Sequence, residues 1–270
     1  MKVKNKVIVV TGGGGGLGRA LVLHLLELGA KVAAIDINEK ALRETTILAG
    51  EHGKNLSTHI LDITDRKKVL LFPEEVIKIH RAIDGIINNA GIIQPFIHVN
   101  ELDFQKIEQV MNINFYGALY MVKAFLPHLL QRPEAHIVNV SSLGGFIPFP
   151  GQTIYGASKA ALKLLTEGLY AELKNISVKV TIIHPGAMQT KIMSNSGLKT
   201  STEEESAPKN KMMLKPEDAA RQVIKAMEKN KFRAMVGKDA RMLDYIYRIH
   251  PRKAVEFIVK KMGSRTLRNE

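Results

Sequence analysis

Three side chains have the types and the spacing to take a proton from an alcohol and return it: Ser142, Tyr155 and Lys159. Tyr155 lies 13 residues past Ser142, and Lys159 lies four past Tyr155. Positions four apart on a helix share a face one turn apart, so the phenol and the ammonium meet if Tyr155 to Leu173 is helical. A phenol with its ordinary pKa of about 10 is a poor base, and a neighbouring ammonium favours its phenolate. A serine hydroxyl leaving a strand holds a substrate oxygen without titrating. By itself a Tyr–Lys pair at this spacing is common on solvated helices, so the reading depends on the elements around it.

The strongest of these is the amino-terminal stretch Val7-Ile8-Val9-Val10-Thr11-Gly12-Gly13-Gly14-Gly15-Gly16-Leu17-Gly18. A β-branched run enters a glycine turn, and an apolar helix-forming segment leaves it through Leu21, Val22, Leu25 and Leu28. Such a turn lets a pyrophosphate approach the backbone, and the helix that follows offers unpaired N–H groups to it. Gly12, Gly15, Gly16, Leu17 and Gly18 are therefore candidate dinucleotide contacts, with Thr11 fixing the turn through its hydroxyl. Asp36 ends the second strand, 18 residues past Gly18, where a carboxylate accepts the adenosine ribose hydroxyls and repels a 2′-phosphate. NAD is expected over NADP, with Arg19 and Lys40 the opposing charges nearby. The positive nicotinamide ring of the oxidised cofactor would favour the Tyr155 phenolate too. Asp62 and Ile63 close the third strand at the adenine edge, and Asn88-Asn89-Ala90-Gly91 closes the fourth. The last of these reads equally as an ordinary exit turn, but all four strand ends fall where open α/β sheets bind ligands.

The wider pattern alternates nearly all-apolar strands with helices over 270 residues. That predicts an α/β fold: one Rossmann-type, doubly wound domain with a parallel sheet of about seven strands and helices on both faces. The longest helices are expected over Asp103–Leu130 and Tyr155–Leu173, and Pro73 should disturb the first half of a helix over Asp65–Arg81. The catalytic domain is expected over 1–240, with a helical extension over 241–270 and a polar stretch around 190–213 that reads as a movable lid or as a plain surface loop. The chain has no cysteine, which excludes thiolate chemistry and cysteine metal sites. No apolar run reaches membrane-spanning length, and the amino terminus has no signal-peptide pattern, so a cytoplasmic location is expected. The net charge of +13 is concentrated late: from Lys209 to Glu270 there are 17 Lys or Arg against 7 Asp or Glu. Nothing there has the form of a nucleic-acid-binding module, and no nucleic acid is expected as a partner.

Together, Thr11-Gly12-x-x-x-Gly16-x-Gly18, Asn88-Asn89-Ala90-Gly91, Ser142, Tyr155-Gly156-Ala157-Ser158-Lys159 and Pro185-Gly186-x-x-x-Thr190 make the chain resemble the short-chain dehydrogenase/reductase family of the classical type, in order and in spacing. The resemblance implies a catalytic group of Asn114, Ser142, Tyr155 and Lys159, in which Asn114 holds a water below the lysine and completes a proton relay. It implies that Lys159 binds the nicotinamide ribose, that Asn89, Ala90 and Gly91 line the cofactor, and that Pro185, Gly186 and Thr190 hold the carboxamide end. It also implies a homodimer through the two long helices. The expected reaction is reversible hydride transfer between NAD and a secondary alcohol or ketone, with Ser142 and Tyr155 on the substrate oxygen.

The chain departs from the family pattern after Gly237, where members that form tetramers end in a short glycine-rich stretch. Here Met242, Leu243, Tyr245, Ile246, Ile249, Val255, Phe257, Ile258, Val259 and Met262 alternate with basic residues, and Pro251 divides the segment into two short helices. It is expected to lengthen an apolar substrate pocket, to lie on a membrane surface, or only to cap the fold. The first two point to a hydrophobic or bulky small-molecule substrate (steroid, retinoid, acyl or similar), as do Leu143, Phe146, Ile147, Pro148, Phe149 and Met188. Other classes fit less well. There is no His-Glu-x-x-His set, no Gly-Lys-Ser/Thr loop and no Gly-x-Ser-x-Gly elbow. The remaining rivals are a catalytically silent, NAD-binding partner protein of the same fold and an NAD-dependent epimerase or dehydratase.

Overall fold

The structure is a computed structural model and describes residues 1–189, 192–198 and 213–262. In chain order its main elements are β1 (Val7–Thr11), α1 (Gly16–Glu27), β2 (Lys31–Asp36), α2 (Glu39–Ala49), β3 (Leu56–Ile60), α3 (Arg66–His80), β4 (Gly85–Asn88), α4 (Phe104–Met111), α5 (Ala118–Leu129), β5 (Ala135–Val140), α6 (Thr153–Glu172), β6 (Val178–Pro185), the single turn α7 (Ile192–Asn195), α8 (Pro216–Glu228), β7 (Arg233–Val236), α9 (Lys238–Ile249) and α10 (Pro251–Met262). The strands form one sheet in the order β3-β2-β1-β4-β5-β6-β7, and every pairing is parallel.

Alternate side chains of each strand feed opposite cores, as a period of two requires. Ile8, Val10, Val32 and Ala34 pack with α1 and α8, while Val7, Val9, Ala33 and Ile35 pack with α3, α5 and α6. Burial on both faces explains why the central strands β1, β2 and β4 read as nearly apolar runs, while β3 at the sheet edge is part-exposed and mixed in sequence. The chain order reverses between β1 and β4, so the carboxyl ends of those strands open into a crevice.

Pro73 lies inside α3, which continues past it to His80. The expected long helix runs without a break from Phe104 to Leu129, with Asn112–Gly117 as a π-helical turn between α4 and α5. A wider turn re-aims the side chains it carries, and Asn114 is one of them.

Candidate active site

The crevice is a cleft of about 1540 Å³ running across the carboxyl ends of β1, β2, β4, β5 and β6. Gly12, Gly14, Gly15, Gly16 and Leu17 line one end, with Asp36, Asp62 and Ile63 beside them; Asn89, Ala90 and Gly91 line the middle; and Ser142, Tyr155, Lys159, Pro185 and Gly186 line the other end. Thr190 lies outside the described residues, as does much of the 190–213 stretch. Gly18 does not line the cleft. It packs behind the turn, where a Cβ would lie 1.9 Å from the Gly12 carbonyl oxygen, and its work is to let α1 approach the sheet.

The glycine turn is fixed by its neighbours. Gly12 has φ +70° and Gly16 φ +50°, both in the left-handed region. The Gly14 N–H donates to Asp36 Oδ2 at 2.9 Å, and a Cβ on Gly14 would lie 2.8 Å from that oxygen. No side chain caps the start of α1, so its first N–H groups face the cleft. Thr11 fixes the exit of β4 as well: its Oγ1 accepts from the N–H groups of Asn89 and Ala90, both at 3.0 Å, and its carbonyl accepts from Asn89 Nδ2. Arg19 reaches back across the turn to the carbonyls of Gly14 and Ala41, to Thr45 Oγ1 at 3.1 Å and to Glu44 at 2.8 Å. The cradle fits a dinucleotide: glycine backbone where phosphates approach, a helix amino terminus for their charge, and a carboxylate at the ribose position.

At the far end Lys159 is buried, and its Nζ donates to the Val140 carbonyl at 3.0 Å. Burial pulls its ammonium down to about 8, so the charge persists at pH 7. Gly91 makes room for it, since a Cβ there would lie 3.0 Å from both Lys159 Nζ and Asn114 Oδ1. Burial raises the Tyr155 phenol above its ordinary value, and a hydrogen bond with the Ser142 side chain opposes that rise. A phenol, a hydroxyl and an ammonium thus meet at one mouth of the cleft.

The sequence matches the short chain dehydrogenase family over residues 6–201. The chain belongs to that family. It is 36% identical over 252 residues to the Mycobacterium tuberculosis protein SadH, covering 91% of each chain. It is 33% identical over 232 residues to an uncharacterized oxidoreductase of Staphylococcus aureus (strain MRSA252), covering 84% of this chain and 93% of that one. Among solved structures, a Burkholderia cenocepacia short chain dehydrogenase in complex with NADP superposes with a TM-score of 0.79 at 27% identity, over 96% of this chain and 99% of the other. A Burkholderia phymatum short chain dehydrogenase/reductase in complex with NAD gives a TM-score of 0.81 at 24% identity, over 92% and 96%, a likeness of fold. Family membership makes the chain an NAD(P)-dependent oxidoreductase.

In this short-chain dehydrogenase Asn114 stands behind the cleft, fully buried in the π-helical turn. Its Oδ1 accepts from the Ile92 N–H and its Nδ2 donates to the Ile92 carbonyl, both at 2.9 Å, and to Ser158 Oγ at 3.0 Å. Ser158 Oγ in turn donates to the Tyr155 carbonyl at 2.7 Å. Both side-chain N–H groups are therefore committed to protein, so a relay water would meet an oxygen of Asn114 and not its amide hydrogens. Ser158 was part of the motif but had no role assigned from sequence. His184 carried no signal beyond strand packing. Its Nδ1 bonds the Ser142 carbonyl at 3.0 Å, and burial pushes the imidazole down to about 4, so it is neutral at pH 7 and donates there.

The apolar wall differs from expectation. Ile92, Ile93, Met188 and Ile192 line the cleft. Leu143, Phe146, Ile147 and Phe149 instead pack with Ala240, Leu243, Tyr247 and Ile258 of α9 and α10. Among the described residues none of 238–262 lines the cleft, so the carboxyl-terminal helices support the segment after Ser142 from behind.

Proposed function

We propose that this enzyme oxidises a secondary alcohol, or reduces the matching ketone, on an apolar small molecule, with NAD as cofactor. The observation that carries the reading is the convergence of Tyr155, Ser142 and Lys159 at one end of a cleft whose other end is a glycine turn facing a carboxylate. In oxidation the Tyr155 phenolate takes the hydroxyl proton while Ser142 donates a hydrogen bond to the same oxygen. Lys159 keeps the phenolate favourable by its charge, and its hydrogen bond to Val140 fixes where that charge sits. The bound dinucleotide supplies the hydride acceptor. In reduction the protonated phenol is the acid. Ile92, Ile93, Met188 and Ile192 in the lining of the cleft support an apolar substrate. The test is a panel of steroid, retinoid, acyl and small secondary alcohols with NAD and NADP, read by absorbance of the reduced dinucleotide. Turnover of any member supports the reading. A chain that binds NAD and turns over nothing is the silent partner protein instead.

The preference for NAD rests on two features of the adenosine end. Asp36 offers carboxylate oxygens to ribose hydroxyls, and Arg19, the cation nearest the turn, is held by Gly14, Ala41, Thr45 and Glu44. A 2′-phosphate would meet the carboxylate, and Lys40, exposed on the same cleft, is the charge that opposes the preference. Asp36→Ala is expected to lower kcat/KM with NAD and raise it with NADP, each by about tenfold, a change of roughly 1.4 kcal/mol per cofactor. A parent enzyme that prefers NADP would contradict the assignment.

The exposed faces of α9 and α10 support contact with an anionic membrane surface. Met242, Tyr245 and Ile249 are exposed along one stripe of α9, beside Lys238, Arg241 and Arg248. Among the described residues no helix is long and apolar enough to cross a membrane. Truncation is a poor test, because Ala240, Leu243, Ala254 and Ile258 are packed. Changing Met242, Tyr245 and Ile249 together to Ser alters only the exposed stripe. The parent is expected to float with phosphatidylglycerol-containing vesicles at low salt, and the triple variant to stay in solution. A parent that stays in solution leaves capping as the role of the extension. Exposed Phe104, Tyr116 and Leu164, on the segments expected to pair, support a homodimer.

A further inference from the structure

The helix that carries Tyr155 and Lys159 starts without a cap of its own. The flanking residue Gln152 makes no capping bond with its side chain, and the first intrahelical bond runs from the Gly156 N–H to the Gln152 carbonyl. The N–H groups before Gly156 therefore need acceptors from elsewhere. Two of them find one oxygen, Gln94 Oε1, which accepts from Ile154 N at 2.8 Å and from Tyr155 N at 2.9 Å. Gln94 comes from the loop after β4, some 60 residues earlier in the chain. It is fully buried. Its Nε2 donates to the Gly151 carbonyl at 3.0 Å, and its own carbonyl accepts from Gln152 Nε2 at 2.8 Å.

We infer that Gln94 is a positioning residue for the proton-transfer phenol, acting as a cap supplied to α6 by the cofactor-side loop. The inference rests on the assignment of Tyr155 as the acid–base group made above. Tyr155 stands third in α6, in the turn that frays first when its N–H groups lack partners. Its ring direction follows from that backbone. Gln94 holds the Tyr155 amide directly, and the Asn114–Ser158 chain holds the Tyr155 carbonyl. The two holds reach α6 from the same loop, since Asn114 grips Ile92 and Gln94 lies two residues on. The loop that follows Gly91 therefore sets the register between the cleft and the phenol. Ile93 adds a third tie, its N–H donating to Ser196 Oγ at 3.0 Å just past α7.

Two substitutions test this. Gln94→Met keeps the volume and removes the acceptor. It is expected to lower kcat by about 10- to 100-fold, the loss that a small misplacement of a reacting group brings. KM and the dinucleotide dissociation constant should stay within about twofold, because a proton-transfer group misplaced by its helix acts on the transition state. The substrate is whichever secondary alcohol the parent turns over fastest in the panel above.

Gln94→Glu covers the case in which the Met variant fails to fold. It keeps an acceptor on both amides, gives up the bond to Gly151, and places a carboxylate beside the Tyr155 backbone. Burial and the Gly151 carbonyl push the ionisation of that carboxyl above the ordinary Glu range, while the two amide N–H groups favour its charged form, so it is ionised in the alkaline range where the phenol titrates. Its charge disfavours the phenolate, so the Tyr155 pKa should rise by about one unit at an effective dielectric typical of proteins. The readout needs no substrate: it is the near-ultraviolet phenolate titration, taken as the difference between Gln94→Glu and the same protein also carrying Tyr155→Phe. Turnover of Gln94→Met within twofold of the parent, or a Gln94→Glu titration that coincides with the parent's, would overturn the role of Gln94. Turnover retained in Tyr155→Phe alone would instead overturn the assignment of Tyr155, so the two failures are distinct.

Discussion

Tyr155→Phe should lower turnover by about 10³-fold while leaving the dinucleotide dissociation constant within about threefold, the range expected when a positioned acid–base group is removed. The ring remains, so the packing of α6 over the cleft remains. The lost atom is the one that takes or gives the proton. Ser142 cannot replace it: its Oγ already accepts from the Gly144 N–H at 3.1 Å, and no base stands against it among the described contacts. Lys159 cannot replace it either, since its Nζ is held on the Val140 carbonyl and remains charged below about pH 8. Stopped-flow turnover and a fluorescence titration with NADH on the same preparation make the comparison. Loss of turnover with loss of binding would mean that the phenol holds the cofactor and not the proton.

Gly18→Ala is expected to raise the NADH dissociation constant at least 100-fold, or about 2.7 kcal/mol, with a lowered urea midpoint. The added methyl would stand 1.9 Å from the Gly12 oxygen, 2.6 Å from the Gly12 carbonyl carbon and 2.7 Å from Asn89 Nδ2. Two of those neighbours are backbone and cannot rotate away. Either α1 moves off the sheet or the turn at Gly12 opens, and in both cases the N–H groups that face the cleft are misplaced. Gly50 provides the control, for there a Cβ would meet nothing within 4 Å, although its φ of +49° makes Ala locally strained. Gly50→Ala should lower stability and leave the NADH dissociation constant unchanged. Near-normal affinity in Gly18→Ala would mean that the turn does not carry the dinucleotide.

These two residues also mark what could be read from the chain alone. The sheet was legible because strands buried on both faces must be apolar, and the glycine turn because only one residue type tolerates its backbone. Tyr155 and Lys159 were legible because a helix brings positions four apart together. The part that escaped notice depends on long-range backbone capping. Gln94 sits between Ile93 and Pro95 in a run with no period, and nothing local says that its oxygen ends up on a helix starting some 60 residues later. Asn114 came from resemblance alone; its π-helical turn has no recognised signature in Met111-Asn112-Ile113-Asn114-Phe115. The apolar run Leu143–Phe149 read as a pocket wall because hydrophobicity alone does not tell a ligand from a helix. The partner it found was α9 and α10.

The most direct test of the whole account is a crystal structure of the parent protein with NAD. The adenosine ribose is expected on Asp36, the pyrophosphate over Gly14–Leu17, and the nicotinamide ring beside Tyr155 and Lys159 with the Ser142 hydroxyl facing the same open space. A nicotinamide ring that points away from Tyr155, or a dinucleotide bound outside this cleft, would contradict it.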